Sequence, residues 1–274
     1  MIRDEVFNKY FTDISPKICF NKIGAGETVI FLHGIGGNKS NWHRQMLHLS
    51  NICSTISWDA RGYGDSEDYT TELTLDDFST DINNLLKFCK IEKAHFVGLS
   101  MGARIAMTYY LNNPSKVLSL TLCNCFYSFG KSMSKQKQDE YINLREKPLS
   151  EGKTFSDIAP AIIRSLVKPD CKQSVIDELT KSISILRKNP YLKCIKTAFN
   201  FDLSENLVDF NVPTQLIFST HDKLTPLTIG ETMHKKIPNS KLNIIQDAGH
   251  LSNLEQPDQF NKILFEFIKA NLTN

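Results

Sequence analysis

The chain has 274 residues, of which 41% are apolar and 23% charged, so it can bury a full core. Its formal net charge of +2 argues against electrostatic binding to nucleic acid or to a membrane surface. The longest apolar runs have the length of strands, which excludes a transmembrane helix. Seven scattered cysteines without metal-ligand spacing, and an N-terminus without a signal-peptide pattern, predict free thiols in the cytoplasm.

The first half of the chain alternates strand-like apolar runs with helical patterns. Helical spacing of apolar residues predicts helices over Leu75–Cys89 and Ala103–Leu111. This alternation of strands and helices favours a parallel, doubly wound sheet, and therefore an α/β fold class. The predicted strands are Lys17–Asn21, Thr28–Leu32, Ser54–Trp58, Ala94–Val97 and Leu118–Cys123.

The pattern changes after about residue 129. Residues 130–206 contain no clear strand and predict several helices, and the strand pattern returns at Thr214–Ser219. We therefore expect three segments: a first core part at 1–128, a helical cap or lid at 129–206, and a second core part at 207–274. The predicted helix breaks in the middle segment are Pro148, Gly152, Pro160, Pro169 and Pro190.

Ser100 stands between two glycines, in the run Gly98-Leu99-Ser100-Met101-Gly102. A predicted strand precedes this run and a predicted helix follows it, so the serine would occupy a sharp strand-to-helix turn. Such a turn tolerates no side chains close by, which explains the glycines, and it lifts the hydroxyl clear of the sheet. The pattern predicts that Ser100 is a nucleophile that needs a base.

A second glycine-rich loop, His33-Gly34-Ile35-Gly36-Gly37, directly follows a predicted strand. Backbone N–H groups in such a loop can stabilise a negative charge that develops on a substrate oxygen. We predict that the N–H groups of Ile35 and Met101 form an oxyanion hole. A phosphate-binding loop is the rival function, but the glycine and lysine spacing does not match such a motif.

His250 and Asp222 are the residues predicted to activate Ser100. Both lie just after predicted strands, and the functional loops of a parallel sheet gather at the carboxyl ends of its strands. Imidazole is suited to take the serine proton, and a carboxylate can orient the second ring nitrogen. Asp247 is a rival acid, but three residues before His250 it would struggle to face the ring. The order Ser100, Asp222, His250 is the one expected for α/β-hydrolases.

At these residues the chain resembles the α/β-hydrolase superfamily. The tail at 250–257 is similar to that of 3-oxoadipate enol-lactonases and small carboxylesterases, whereas the loop at 33–37 is closer to general esterases and C–C bond hydrolases. The resemblance implies an eight-stranded, mostly parallel sheet with a helical cap after the sixth strand. It also implies the catalytic triad above, with no cofactor and no metal. The matching motifs are HGIGG at 33–37, DARGYGDS at 59–66, GLSMG at 98–102, HD at 221–222 and DAGH at 247–250.

The expected function is hydrolysis of a small ester or lactone through an acyl-enzyme. C–C bond hydrolysis of a ring-cleavage diketone by the same triad is the alternative within catalysis, and a non-hydrolytic ligand receptor is the alternative outside it. Trp42 is expected to line the pocket or to belong to the core, and Arg164 to bind a substrate carboxylate in a mildly basic cap. The expected partner is the small-molecule substrate, and a homodimer would add a second copy of the chain. Neither nucleic acid nor a membrane is expected as a partner.

Overall fold

A computed structural model describes residues 7–128 and 134–273. The strands are β1 (Lys9–Phe11), β2 (Cys19–Ile23), β3 (Thr28–Leu32), β4 (Ser54–Trp58), β5 (Ala94–Leu99), β6 (Val117–Cys123), β7 (Thr214–Ser219) and β8 (Ser240–Ile245). The helices are α1 (His43–Leu49), α2 (Leu75–Phe88), α3 (Met101–Asn112), α4 (Lys135–Ser150), α5 (Phe155–Leu166), α6 (Gln173–Ser184), α7 (Lys188–Phe199), α8 (Leu227–Lys236), α9 (Ser252–Glu255) and α10 (Pro257–Asn271).

The strands form one eight-stranded sheet in the order β1-β2-β4-β3-β5-β6-β7-β8. The pairs β4–β3, β3–β5, β5–β6, β6–β7 and β7–β8 are parallel, whereas the pairs β1–β2 and β2–β4 are antiparallel. The expected eight-stranded, mostly parallel sheet is confirmed. The sequence reading missed β1, a three-residue edge strand whose side chains are all exposed and therefore carry no pattern of burial.

The central strand β3 separates two apolar cores. Its side chains alternate between the faces of the sheet, so Ile30 and Leu32 belong to one core whereas Val29 and Phe31 belong to the other. The first core is filled from α2, α3 and the helices that follow β6, and the second from α1 and α10. Because both faces are covered, the strand is apolar from Val29 to Leu32, which is typical of parallel sheets.

Helices α4 to α7 follow β6 and precede β7. Three predicted breaks are wrong, because Pro148 and Pro160 lie inside α4 and α5, and Pro190 lies in the first turn of α7. A proline is tolerated in a first turn, where its missing N–H has no helical partner, while Pro160 is held in a helix whose apolar face is buried. Gly152 and Pro169 do separate helices.

The boundaries of the predicted cap stay a prediction, as does the homodimer. The predicted start of the cap at residue 129 and the N-terminal residues 1–6 lie outside the described residues. Within the described ranges, no helix combines the length and the apolar character that crossing a bilayer requires.

Candidate active site

Ser100 occupies a strained turn between β5 and α3. Its backbone has φ 55° and ψ −110°, a left-handed φ that a non-glycine residue rarely adopts. Its N–H donates to the Cys123 carbonyl at 2.9 Å, which fixes the turn against β6. A Cβ on Gly98 would overlap the Gly102 backbone, and one on Gly102 would overlap the Leu32 carbonyl. The two glycines are therefore required by close backbone approach, as the sequence pattern predicts.

Gly102→Ala should destabilise the fold by about 3 kcal/mol, because its Cβ meets the backbone of β3 rather than a flexible side chain. Gly152→Ala is the matched control: its Cβ would meet nothing within 4 Å, although its φ of +91° disfavours alanine. We expect that control to lose only about 1 kcal/mol. Urea unfolding of both variants measures the two costs, and equal losses would contradict the steric explanation.

The Ile35 and Met101 amides are available as hydrogen-bond donors. Met101 is the first residue of α3, so its N–H has no partner within the helix. Neither N–H donates to another group in the ranges that the structure describes. Met101 directly follows Ser100 in the chain. Ile35 directly follows Gly34, which packs against Ser100, since a Cβ on Gly34 would contact that of Ser100 at 3.3 Å. This arrangement suits stabilisation of an oxyanion.

His33 braces the loop that carries Ile35. Its Nε2 accepts from the Ala60 N–H at 3.1 Å, so its Nδ1 carries the proton and donates to the Gly34 carbonyl at 2.8 Å. Burial lowers the pKa of His33, which favours this neutral ring. His33 therefore supports the shape of the loop.

Asp222 and His250 meet although β8 and α8 separate them in the chain. His250 Nδ1 lies 2.8 Å from Asp222 Oδ2, and both side chains are buried. The backbone N–H groups of Leu224 and Thr225 donate to Asp222 Oδ1 at 2.8 and 2.9 Å, and the Thr225 hydroxyl donates to Oδ2. This carboxylate is held in one orientation, against the ring of His250.

Burial alone would raise the pKa of Asp222. The charge of His250, with the hydrogen bonds from His250 and Thr225, outweighs burial and lowers this pKa from 3.8 to about 2. The ionised carboxylate can therefore stabilise an imidazolium at neutral pH.

A lowered carboxylate pKa makes stability depend on pH. The folded state holds Asp222 ionised to a lower pH than the unfolded state does, so this contribution is complete above pH 4 and is lost as the pH falls from about 4 towards 2. The shift corresponds to about 2 kcal/mol. Unfolding free energies of the wild type and Asp222→Asn, measured from pH 6 to pH 3, should converge as the pH falls. A constant difference between the two proteins would contradict this assignment.

Asn124 is a site residue that sequence reasoning missed. It directly follows β6 with φ 43°, and its amide donates to Asp222 Oδ2 and to Ser219 Oγ, each at 2.8 Å. Its own Oδ1 accepts from the Ser252 hydroxyl at 2.9 Å. A single Asn at a strand end carries no clear sequence signal, although its place at the carboxyl edge of the sheet could have pointed to it.

Glu255 fastens the His250 loop. One carboxylate oxygen accepts from the N–H of Gly249 at 3.0 Å and of Leu251 at 3.3 Å, and the other accepts from the Lys168 N–H at 2.9 Å. The His250 N–H itself donates to the Leu166 carbonyl at 2.7 Å, at the end of α5. The helices that follow β6 are therefore bonded directly to the loop that carries the imidazole.

Ser100 and His250 line one cavity, and Ile35 and Trp42 line it as well. Within the described residues, no hydrogen bond joins the Ser100 hydroxyl to the His250 ring. Such contacts are often long before a substrate binds. Trp42 also packs in the core against Phe31, with ring centroids 5.1 Å apart.

Arg164 does not line the cavity, as binding of a substrate carboxylate there would require. It is exposed on α5 and is not among the residues that line the cavity, whereas Ile162 and Leu166 of the same helix are. Successive helix residues are rotated by about 100°, so Arg164 projects from the side opposite to its neighbours two positions away. The arginines that do line the cavity are Arg104 and Arg145.

Asp247 and the turn at 59–66 carry acidic residues but do not line the cavity. Asp247, the rival acid, is exposed and pairs with Lys168 at 2.6 Å. In the turn at 59–66, Arg61 binds Asp81 at 2.7 Å and so ties this turn to α2. In the described ranges, a metal-ligand geometry occurs at Cys19, Asp59 and Asp65, but the Lys39 ammonium already contacts both carboxylates, at 2.5 and 2.6 Å.

Comparison with known proteins gives one family and several relatives. The model of the α/β hydrolase fold matches residues 27–257. A 3-oxoadipate enol-lactonase 1 from Acinetobacter baylyi is 28% identical over 88% of each chain. A 2-hydroxy-6-oxononadienedioate/2-hydroxy-6-oxononatrienedioate hydrolase 2 from Pseudomonas putida is 25% identical over 94% of this chain and 93% of its own.

Solved structures share the fold over nearly the whole chain. A thermophilic esterase from Thermogutta terrifontis, solved with malate bound, superposes with a TM-score of 0.87 at 24% identity, covering 97% of this chain and 99% of its own. The enol-lactonase from Burkholderia xenovorans LB400 gives a TM-score of 0.86 at 21% identity, covering 95% of this chain and 100% of its own. At such identities the likeness shows the fold alone.

Proposed function

The chain belongs to the α/β hydrolase fold family, and on that premise we propose that it is a serine hydrolase that cleaves a small carboxylic ester or lactone. The observation that carries the proposal is the 2.8 Å contact between His250 Nδ1 and Asp222 Oδ2, beside a cavity that Ser100 also lines. The two 3-oxoadipate enol-lactonase relatives from Acinetobacter baylyi support the reaction class.

In the acylation step, the Ser100 hydroxyl attacks the substrate carbonyl carbon while His250 Nε2 takes its proton. Asp222 keeps the ring oriented and stabilises the imidazolium that forms. The Ile35 and Met101 N–H groups receive the negative charge on the carbonyl oxygen. The C–O bond of the tetrahedral intermediate then breaks, and His250 returns the proton to the leaving oxygen.

In the deacylation step, His250 takes a proton from water, which attacks the Ser100 ester. The acid product leaves with the serine proton restored. In a lactone the leaving oxygen stays attached to the acyl chain, so a single hydroxy acid or keto acid is released. No metal or organic cofactor takes part in this proposal, because side chains and backbone amides supply every proton transfer and every charge contact.

A screen of short p-nitrophenyl esters and small lactones, run beside Ser100→Ala, tests this function. We expect turnover by the wild type, loss of turnover in the variant, and covalent labelling of the wild type by a fluorophosphonate probe. Absence of both turnover and labelling would contradict the proposal and favour a non-hydrolytic receptor.

C–C bond hydrolysis is the second candidate, and the Pseudomonas putida relative is the observation that favours it. The same triad would serve both reactions, so product analysis on a ring-cleavage diketone separates them. Cleavage of the diketone at a higher kcat/KM than any ester or lactone would favour this candidate.

A further inference from the structure

Two arginines line the cavity of the proposed active site, Arg104 on α3 and Arg145 on α4. Within the described ranges, no aspartate or glutamate is among the residues that line this cavity. Most of the remaining lining is apolar, so these cations face a space of low polarity. A charge in such surroundings interacts strongly with an ion of opposite sign.

Arg104 lies in the first turn of α3, directly after the proposed nucleophile. Its N–H donates to the Ser100 carbonyl at 3.2 Å, and both residues line the cavity. Arg104 is buried, with 5% of its surface exposed. Its Nη1 donates to the Ala198 carbonyl at 3.3 Å, and its guanidinium lies 5.8 Å from the centre of the Phe201 ring. Contacts with α7 and the segment after it therefore hold this cation at the cavity wall.

Arg145 lines the same cavity from α4. Its guanidinium carbon is 3.4 Å from the centre of the Tyr141 ring, and its Nη1 donates to the Tyr141 carbonyl at 3.0 Å. Tyr141 also lines the cavity. Two elements distant in the chain thus present positive charge to one substrate space.

Guanidinium groups are suited to recognise carboxylates. The planar fork can donate two parallel hydrogen bonds to the two carboxylate oxygens, and the contact is stronger where water is excluded. Burial lowers the pKa of Arg104, but a guanidinium stays protonated at any physiological pH. The charge is therefore permanent in the cavity.

We propose that Arg104, assisted by Arg145, makes this site selective for esters or lactones that carry a carboxylate a few bonds from the scissile carbonyl. The inference rests on the proposed function and adds the substrate class to it. The hydrogen bond from the Arg104 N–H to the Ser100 carbonyl keeps the two backbones in contact, which limits how far apart their side chains can lie in the cavity. Arg104 takes the role that the sequence led us to expect for Arg164.

Matched ester pairs test this selectivity. p-Nitrophenyl hydrogen glutarate and p-nitrophenyl valerate differ by a carboxylate in place of a methyl group on the acyl side, and 4-carboxyphenyl acetate and 4-tolyl acetate differ likewise on the alcohol side. We expect the wild type to prefer one of the anionic esters over its neutral partner by about tenfold or more in kcat/KM, as hydrogen bonds to charged groups imply.

Arg104→Met should reduce that preference by about tenfold or more, while Arg104→Lys should retain part of it because it keeps the charge and loses the fork. Arg164→Met is the matched control, and it should keep the wild-type preference because that side chain is exposed outside the cavity. An equal rate for both members of each pair in the wild type, or an unchanged preference in Arg104→Met, would overturn the proposal.

A measurement on the wild type covers the case in which Arg104→Met does not fold. Glutarate should inhibit hydrolysis of the neutral valerate ester competitively, and absence of inhibition counts against the carboxylate site. Failure of the proposed function looks different, since no ester at all would then be cleaved. In that case calorimetric titration of glutarate into the wild type and into Arg104→Lys tests the site. Weaker binding to the variant would support the proposal. Absence of binding to the wild type would overturn it.

Discussion

Ser100→Ala should lower kcat for any ester or lactone substrate by about 10⁴-fold or more, because no other group in the proposed mechanism can form the acyl-enzyme. The substitution removes one oxygen atom from a half-buried side chain that makes no hydrogen bond through its hydroxyl in the described structure, so the free energy of unfolding should change little. Steady-state kinetics and urea unfolding of the same preparation separate the two effects.

Ser184→Ala is the matched control for this loss. Ser184 is exposed at the end of α6 and its hydroxyl donates to the Lys181 carbonyl, away from the cavity. It should keep wild-type kinetics and fluorophosphonate labelling, whereas Ser100→Ala should lose both. Residual labelling of Ser100→Ala at the wild-type rate would show that another nucleophile reacts, and the proposed mechanism would then be wrong.

Asp222→Asn should lower kcat by about 10⁴-fold while the fold persists. The amide is nearly the same size as the carboxylate, but it cannot stabilise the imidazolium, and its NH₂ group can pair with Nδ1 only when that nitrogen has lost its proton. The proton then sits on Nε2, the nitrogen that must accept from Ser100. The loss should therefore appear in kcat, with a smaller change in KM.

Asp247→Asn distinguishes the assigned acid from its rival. Asp247 has φ 57°, a conformation that asparagine tolerates, and its carboxylate is exposed and paired with Lys168. We expect this variant to keep wild-type kcat and KM on the same ester. A large loss in Asp247→Asn together with wild-type activity in Asp222→Asn would reverse the assignment of the acid.

The parts of the site that the sequence predicted share one property. Ser100, Asp222 and His250 each follow a strand that could be recognised from an apolar run, and the carboxyl ends of parallel strands lie at one edge of the sheet. The glycines beside Ser100 mark backbone contacts, which depend on the absence of a side chain and are therefore visible in the sequence. Local pattern and chain order were sufficient to propose these residues.

The parts that the sequence did not predict depend on orientation. Arg164 and Arg104 are both arginines in helical segments, but one is exposed on α5 and the other lines the cavity from α3. Whether an arginine lines the cavity depends on which face of its helix it occupies. How that face is oriented is set by the packing of the helix against the rest of the molecule. The hydrogen bond from the Asn124 amide to Asp222 likewise depends on how β6 and β7 pair.

The amino-acid sequence alone determined the α/β architecture, the order of the three proposed catalytic residues and the glycine-lined turn, because strand burial and backbone crowding leave local marks on residue choice. Tertiary structure decided which arginines line the cavity, which residues hold Asp222 in place, and that the helices after β6 bond to the His250 loop. Those contacts join groups far apart in the chain, and their distances arise only when the sheet and the helices pack together.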